Sequence, residues 1–204
     1  MIEQLILVRH GQTVENVTGI AQGWKDGTLS EVGVQQVAKL AQRVARLNPD
    51  ALFSSPLGRA FATAQAISGA TGLAIRTLDD LREVCLGAWE GRSYIEIRRD
   101  DNENYRRWRD DPESACPEGE SHNDVLRRMQ KAFDTIASSA NGQTTRAVVV
   151  THGAAIRVGA TYLLGAPITL SRHLAQDNAA INIFDRRGDR YVLRVWNDTA
   201  HCES

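Results

Sequence analysis

Two short stretches decide the fold: LVRHG at residues 7–11 and VVTHG at residues 149–153. Each ends an apolar run, which then passes directly into a histidine and a glycine. The second run, Arg146–Thr151, is rich in β-branched residues, as is typical of a strand buried on both faces of a sheet. In parallel α/β sheets, ligands bind beyond the carboxyl ends of the strands. The sequence therefore predicts that His10 and His152 point into one crevice.

Strand-like runs alternate with helical patterns along the rest of the chain. The predicted strands are Leu5–Val8, Asp50–Ser54, Leu73–Thr77, Arg146–Thr151, Ala180–Phe184 and Tyr191–Trp196, the last two as a hairpin. The predicted helices are Ser30 to Leu47, Ser55-Pro56 to Gly69 or Gly72, Ser121 through Ile136, and Ala154 to Leu164, with the three serines as N-caps. This order predicts a layered α/β fold with a mostly parallel sheet.

Composition excludes several classes of protein. The chain has 204 residues, 42% of them hydrophobic, which suits one domain with a sizeable core. Lys and Arg total 24 against 25 for Asp and Glu, so no overall basic charge attracts nucleic acid or an anionic membrane. No apolar stretch has bilayer-spanning length. Cys85, Cys116 and Cys202 are widely spaced and odd in number, which indicates free thiols in a reducing cytoplasm. We therefore expect a cytoplasmic protein.

Cations accompany the two histidines. Arg9 precedes His10, and Arg59 lies shortly after the predicted helix start in SSPLGRA. Guanidinium forks match phosphate oxygens, and the N-termini of helices at the same edge of the sheet also favour an anion. A histidine, however, more often has a structural role than a catalytic one. Residue type and spacing alone leave both roles open for His10 and His152.

Five motifs, in order, carry a resemblance to a known family: LVRHGQTVEN, SSPLGRAFATA, LREVCLGAWEG, PEGES and VVTHGAAIR. Together they closely resemble the histidine phosphatase superfamily, the phosphoglycerate-mutase-like enzymes. The similarity covers nearly the whole chain. It implies one domain over residues 1–204, a three-layer α/β/α sandwich with a mostly parallel central sheet, and a small helical lid insertion at about residues 92–120.

The resemblance also implies roles for individual residues. His10, in the RHG motif, would carry the phosphoryl group, and Glu83, in LREV, would be the acid and base. The implied catalytic set is His10, Glu83, Arg9, Arg59 and His152, and the implied substrate-binding set is Asn16, Gln22, Gly153 and Ala154. Neither a metal nor another cofactor is implied. The carboxylates Glu15, Asp26 and Glu90 also lie near the motifs, but they are weaker candidates for the acid.

This chemistry places physical requirements on the site. His10 must be neutral to attack phosphorus, and nearby Arg9 and Arg59 lower its pKa. Its far ring nitrogen needs a hydrogen bond that fixes the tautomer, which we expect to be made to a backbone carbonyl. Glu83 must be protonated when substrate is bound. We also expect Gly11 to let the backbone approach the phosphate closely.

The motifs favour a metal-independent phosphatase that acts on a small phosphorylated metabolite. A cofactor-dependent phosphoglycerate mutase is the first alternative, but family mutases carry longer segments after the acid/base motif. A catalytically silent phospho-ligand-binding module would have no need to keep all five catalytic residues. A metal hydrolase lacks a ligand spacing such as HExxH. Sugar phosphate, phosphoglycerate derivative, phosphoserine and nucleotide-loop phosphate all remain open as substrates, and dimers in the family make a homodimer compatible with the resemblance.

The lid insertion raises a question about specificity. Five of its arginines are candidates to meet a second anionic group: Arg98, Arg99, Arg106, Arg107 and Arg109. The alternative is a solvated helix with ion pairs to Asp100, Asp101, Glu103, Asp110 and Asp111. Trp24, Tyr105 and Trp108 suit either specificity or packing, and His201 suits either a tail that returns to the site or a frayed terminus.

Overall fold

A computed structural model describes residues 2–140 and 145–203, so both predicted domain ends, residues 1 and 204, lie outside the described residues. The strands are β1 (Gln4–Arg9), β2 (Ala51–Ser54), β3 (Ile75–Thr77), β4 (Arg146–Thr151), β5 (Ile181–Arg187) and β6 (Arg190–Asp198). Over these residues they form one six-stranded sheet in the order β3-β2-β4-β1-β5-β6. Strands β3, β2, β4 and β1 are parallel, whereas β5 and β6 form an antiparallel hairpin at one edge. The predicted mostly parallel sheet and its hairpin are confirmed.

Helices cover both faces of the sheet. They are α1 (Val14–Thr18), α2 (Glu31–Ala45), α3 (Gly58–Thr71), α4 (Tyr94–Asp100), α5 (Asn102–Asp110), α6 (His122–Ser138) and α7 (Gly153–Leu163). In the described part of the chain, none of them is long and apolar enough to cross a membrane.

Alternate residues of the central strands supply two separate cores. Leu5 and Leu7 of β1 pack in a cluster with residues of α6 and α7, whereas Ile6 and Val8 pack in a second cluster with residues of α2 and α3. All four side chains are nearly inaccessible to solvent. Burial of each contributes about 1.5–3 kcal/mol relative to an exposed position. This alternation produces the three-layer α/β/α sandwich.

Two of the predicted helix caps are confirmed, and one is wrong. The Ser30 side chain accepts a hydrogen bond from the Gly33 N–H at 3.0 Å, and Ser121 forms a capping box with Asp124. The helix α3 begins at Gly58 rather than at Ser55-Pro56. The Ser55 hydroxyl accepts the Leu57 N–H at 3.3 Å in the turn before the helix and lies 2.8 Å from His152 Nε2.

The segment at about residues 92–120, predicted as a lid insertion, contains two α-helices rather than one. Helices α4 and α5 meet at Asp101, whose non-helical backbone (φ −138°, ψ 45°) interrupts the run. The Asp101 carboxylate also accepts a hydrogen bond from Trp89 Nε1 at 2.8 Å, which ties the junction to the core. Ion pairs hold some of the predicted anion-binding arginines, since Arg99 pairs with Asp100 at 2.6 Å and Arg109 with Asp110 at 2.8 Å.

Candidate active site

The sheet places the two histidines side by side. Arg9, the last residue of β1, pairs in register with Thr151, the last residue of β4. The His10 N–H then donates to the Thr151 carbonyl at 3.1 Å, and the rings of His10 and His152 lie with their centroids 5.2 Å apart. Neighbouring strands are about 4.7–4.9 Å apart. The two rings therefore lie side by side at one edge of the sheet, but the prediction that both point into one crevice holds for His10 alone, because His152 does not line the cavity there.

Hydrogen bonds define which nitrogen of His10 can attack. Nδ1 lies 2.7 Å from the Gly11 carbonyl oxygen, and Nε2 lies 3.3 Å from Arg59 Nε. A carbonyl only accepts, and a guanidinium only donates, so Nδ1 carries the hydrogen and Nε2 carries the lone pair. The expected backbone carbonyl partner is confirmed. Burial, followed by the charges of Arg59 and Arg9, holds the pKa of His10 well below its usual range.

Arg59 is fixed by backbone carbonyls. It is the second residue of α3 and is 2% exposed. Its Nη1 donates to the Lys25 carbonyl at 2.9 Å, and its Nη2 donates to the Gly23 carbonyl at 2.8 Å. Burial lowers the pKa of Arg59, although nearby carboxylates, with Glu83 first, oppose that effect. The rigid guanidinium is thus a fixed positive charge beside the His10 ring.

The start of α3 depends on a residue from another loop. Asp26 Oδ1 accepts the Gly58 N–H at 2.8 Å and so replaces the cap expected from Ser55. A carboxylate at a helix N-terminus also complements the helix dipole. Asp26 therefore has a structural role. Glu90 is engaged similarly, because its Oε1 accepts the N–H groups of Trp24 and Leu86 at 2.8 and 3.0 Å.

Arg9 and Gly153 pack closely together. Arg9 Nη1 donates to the Gln176 carbonyl, and burial lowers the pKa of the guanidinium. A Cβ on Gly153 would lie 3.4 Å from Arg9 Cζ, so a glycine leaves room for this stack.

Position 11 requires a glycine for a different reason from the one expected. Its N–H donates to Thr63 Oγ1 at 3.2 Å, and a Cβ would collide with α2, so packing rather than approach to phosphate requires a glycine there.

Glu83 lies at the N-terminus of α7. Its Oε1 accepts the N–H groups of Val84 at 2.9 Å and Ala155 at 3.1 Å, and its Oε2 accepts that of Ala154 at 3.1 Å. The backbone N–H of Ala154, an expected substrate-binding residue, is thereby directed at Glu83. These three donors hold both carboxylate oxygens of Glu83 at the N-terminus of α7, in the wall of the cavity described next.

These side chains surround one cavity of about 210 Å³. The predicted residues in its wall are Arg9, His10, Asn16, Gln22, Arg59, Glu83, Gly153 and Ala154. Its cations are Arg9, Arg59 and Arg157, against the single carboxylate of Glu83. The excess of positive charge suits a phosphate dianion.

His152 lies behind this wall instead of in it. Its ring is fully buried, and its Nε2 lies 2.8 Å from Ser55 Oγ. Burial, followed by the charge of Arg59, holds the pKa of His152 well below its usual range. The neutral ring packs against His10, which supports the orientation of the nucleophile.

Several wall residues were not predicted: Ile20, Val84, Leu86, Tyr94, Arg157 and Gln176. The segment that contains Gln176 precedes β5, which is antiparallel to β1, so the start of β5 lies at the same edge as the end of β1. Asn178, in this segment, donates to Asn16 Oδ1 at 3.0 Å and orients that side chain. The polar triplet QDN just before a predicted hairpin strand was the available signal.

Other candidates lie outside the cavity. His201 lines a separate depression with Lys39 and Arg43. Trp24 packs against the acid/base segment, where its Nε1 donates to the Glu83 carbonyl at 2.6 Å. Within residues 2–140 and 145–203, no group of three or more His, Cys, Asp or Glu side chains is arranged to hold a metal ion.

Comparison with known proteins agrees with this geometry. The chain is 32% identical over 206 residues to "Probable phosphoglycerate mutase GpmB" of Yersinia pestis, and the alignment covers 98% of this chain and 95% of that protein. A mycobacterial glucosyl-3-phosphoglycerate phosphatase, solved with VO3, is 33% identical with a TM-score of 0.87 and covers 96% of this chain and 99% of its own.

A third relative is an Entamoeba histolytica phosphoserine phosphatase, solved as a histidine-to-alanine variant with phosphoserine. It is 32% identical with a TM-score of 0.84, and the match covers 97% of this chain and 98% of that one. The family model of the histidine phosphatase superfamily (branch 1) matches residues 5–199. The resemblance read from the five motifs is confirmed, and the chain belongs to the histidine phosphatase superfamily.

Proposed function

We propose that this protein is a metal-independent phosphatase that hydrolyses a small phosphomonoester through a phosphohistidine at His10. The observation that carries the proposal is the pair of hydrogen bonds on the His10 ring, from Nδ1 to the Gly11 carbonyl and from Arg59 to Nε2. They leave a neutral imidazole whose Nε2 lone pair is directed at a fixed cation. A phosphate bound to Arg59 would thus lie in front of the nucleophile.

In the first half-reaction, Nε2 forms a bond to phosphorus while the bond from phosphorus to the ester oxygen breaks. A proton from Glu83 goes to the departing alkoxide. The charge that develops on the equatorial oxygens is stabilised by Arg9 and Arg59, whose positions are already fixed by backbone carbonyls.

In the second half-reaction, Glu83 as carboxylate removes a proton from water. The water oxygen bonds to phosphorus, and the bond from phosphorus to Nε2 breaks. Inorganic phosphate leaves, and His10 returns to its neutral form. Glu83 turns between the substrate and the N-terminus of α7, where its oxygens accept the N–H groups of Ala154 and Ala155.

The relatives support a phosphatase without naming one substrate. The two solved relatives are a glucosyl-3-phosphoglycerate phosphatase and a phosphoserine phosphatase, and the curated relative is named a probable phosphoglycerate mutase. A mutase differs in the second half-reaction, where the phosphoryl group returns to substrate instead of to water. Direct measurement of both products distinguishes these outcomes.

The test uses purified protein treated with EDTA and a panel of phosphomonoesters. Free phosphate and 2-phosphoglycerate are assayed in parallel, with and without 2,3-bisphosphoglycerate. We expect free phosphate from the wild type and none from His10→Ala. His173→Ala is the matched control, because His173 is an exposed histidine outside the cavity wall.

Three results would contradict the proposal. Undiminished phosphate release by His10→Ala would exclude a phosphohistidine. Conversion of 3-phosphoglycerate to 2-phosphoglycerate with little free phosphate would identify a mutase. Phosphate binding without turnover on any member of the panel would identify a silent binding module.

A further inference from the structure

A second, larger cavity adjoins the catalytic one. Its volume is about 480 Å³, and it shares Tyr94, Trp108, Ala154 and Arg157 with the wall of the catalytic cavity. A substrate whose phosphate lies against His10 would extend into this space. The second cavity is therefore the place where the rest of the substrate is recognised.

The charged residues in the wall of the second cavity are all cations: Arg98, Arg109, Arg157 and Arg172. These four arginines differ in how strongly they can attract an anion. Arg109 is exposed and paired with Asp110 at 2.8 Å, and Arg98 and Arg172 are exposed to solvent. Exposed arginines are largely screened by water. Arg157 is the half-buried member of the set, so it is the strongest point of anion recognition.

Arg157 lies in the second turn of α7, between the two cavities. Among the described residues, none forms a hydrogen bond or an ion pair with its guanidinium. A half-buried cation without a carboxylate partner lowers the stability of the folded protein, unless a bound anion compensates its charge. Its charge reaches both sides, because it contributes to the lowered pKa of Arg9 in the catalytic cavity and of His122 in the second one.

Aromatic rings form the apolar part of the wall of the second cavity. Tyr105 and Trp108 lie with their ring centroids 6.2 Å apart, and Trp108 lies 4.7 Å from the His122 ring. Trp108 Nε1 donates to the Glu120 carbonyl at 3.1 Å, which fixes the indole. The second cavity thus combines a rigid apolar surface for a carbon skeleton with a cation for a charged substituent.

We propose that Arg157 binds a second anionic group, a carboxylate or a second phosphate, of the phosphomonoester whose first phosphate lies against His10 and Arg59. The inference rests on the proposed function, since it assumes that the catalytic cavity holds a phosphate. It narrows the substrate class to phosphomonoesters that carry two anionic groups. Arg106 and Arg107, which the sequence also offered for this role, do not line either cavity.

The test measures equilibrium binding to the His10→Ala protein by calorimetry, so that turnover does not interfere. Phosphoserine is compared with phosphoethanolamine, which lacks only the carboxylate, and fructose 1,6-bisphosphate is compared with fructose 6-phosphate. We expect the member with two anionic groups of at least one pair to bind about 10- to 100-fold more tightly, as for a charge-assisted hydrogen bond. The pair that shows the preference identifies the carboxylate or the second phosphate as the group.

Adding Arg157→Gln to this background should remove the preference, and Arg157→Lys should restore part of it. The matched control is Arg106→Gln, which removes the same charge from an exposed position on α5. Melting temperatures establish that each variant is folded. Equal dissociation constants within both pairs, or a preference that survives Arg157→Gln, would overturn the inference.

Turnover by the protein with an intact His10 separates this inference from the proposed function. Phosphate release with equal loss for both members of a pair in Arg157→Gln would refute the role of Arg157 and leave the phosphatase standing. A preference in binding that depends on Arg157, together with no turnover on any substrate, would refute the phosphatase and leave the anion site standing.

Discussion

The segment that carries Glu83 is held by a buried arginine, which leads to a quantitative prediction for Arg128→Ala. Arg128 lies on α6, with a side chain that is 10% exposed. Its guanidinium donates to both oxygens of Glu120 at 2.9 Å and to the Glu83 carbonyl at 2.9 Å. It also donates to the carbonyls of Asp80 and Arg82. Removal of this side chain leaves several acceptors without a donor.

The expected loss of stability follows from burial. Breaking a buried ion pair costs about 3–5 kcal/mol, because the remaining charge is uncompensated. Glu120 is 19% exposed, so water reaches it in part, and the lower end, about 3 kcal/mol, applies. A protein of this size loses roughly 2–4 °C in melting temperature for each kcal/mol, which gives a fall of roughly 6–12 °C.

We also expect Arg128→Ala to lower the rate of phosphate release. The Glu83 carbonyl would lose one of its two donors and keep only Trp24 Nε1, and a displacement of about 1 Å can reduce the rate about 100-fold. The assay combines thermal unfolding followed by circular dichroism with phosphate release below the transition. The control is Arg127→Ala, whose side chain is 62% exposed and pairs with Asp124 at the surface, so we expect a change of about 1 kcal/mol or less. Equal melting temperatures for the two variants would refute the reasoning.

Three further predictions concern packing and protonation. A Cβ on Gly33 would lie 1.9 Å from the Gln12 carbonyl oxygen, so Gly33→Ala should lower the free energy of unfolding in urea by about 1–3 kcal/mol, whereas Gly69→Ala, with no atom within 4 Å, should not lower it. The pKa of His122 is lowered to about 4 in the folded protein, chiefly by burial. The unfolded chain therefore binds more protons below about pH 6.5, and stability that is complete above that pH should be lost on acidification toward pH 4, with a shallower slope for His122→Gln. Because the pKa of His10 lies well below its usual range, kcat/KM of the phosphatase should show no loss from protonation of this histidine near pH 6.5.

The sequence predicted the parts of the fold and site that depend on local order. The β-branched run before Thr151 and the apolar run before Arg9 identified the central strands, because the pattern of a doubly covered strand is short-range. His10 became a candidate because it directly follows such a strand, and only the resemblance carried by the five motifs gave it the role of nucleophile. Its carbonyl partner, Gly11, is its own neighbour, so the expected hydrogen bond also had a local origin.

The features that were missed depend on distant contacts. Asp26 caps α3 across 32 positions, so a rule based on the residue just before the helix selected Ser55 instead. Arg157 lines the cavity because of the direction in which α7 runs, and Gln176 lines it because of the register of β5 against β1. Neither can be read from a single sequence. Asp101, at the break between α4 and α5, is likewise bonded to the distant Trp89 indole.

The pairing of β1 with β4 has a consequence for how related proteins can diverge. The separation of the His10 and His152 rings is determined by a backbone ladder in the middle of the sheet, whereas Tyr105 and Trp108 belong to the insertion at residues 92–120. A segment exchanged between relatives at the insertion would replace the aromatic wall and leave the imidazole pair unmoved. Under the proposed function, recombination at this segment would therefore change the choice of substrate and leave the residues that carry the reaction in place.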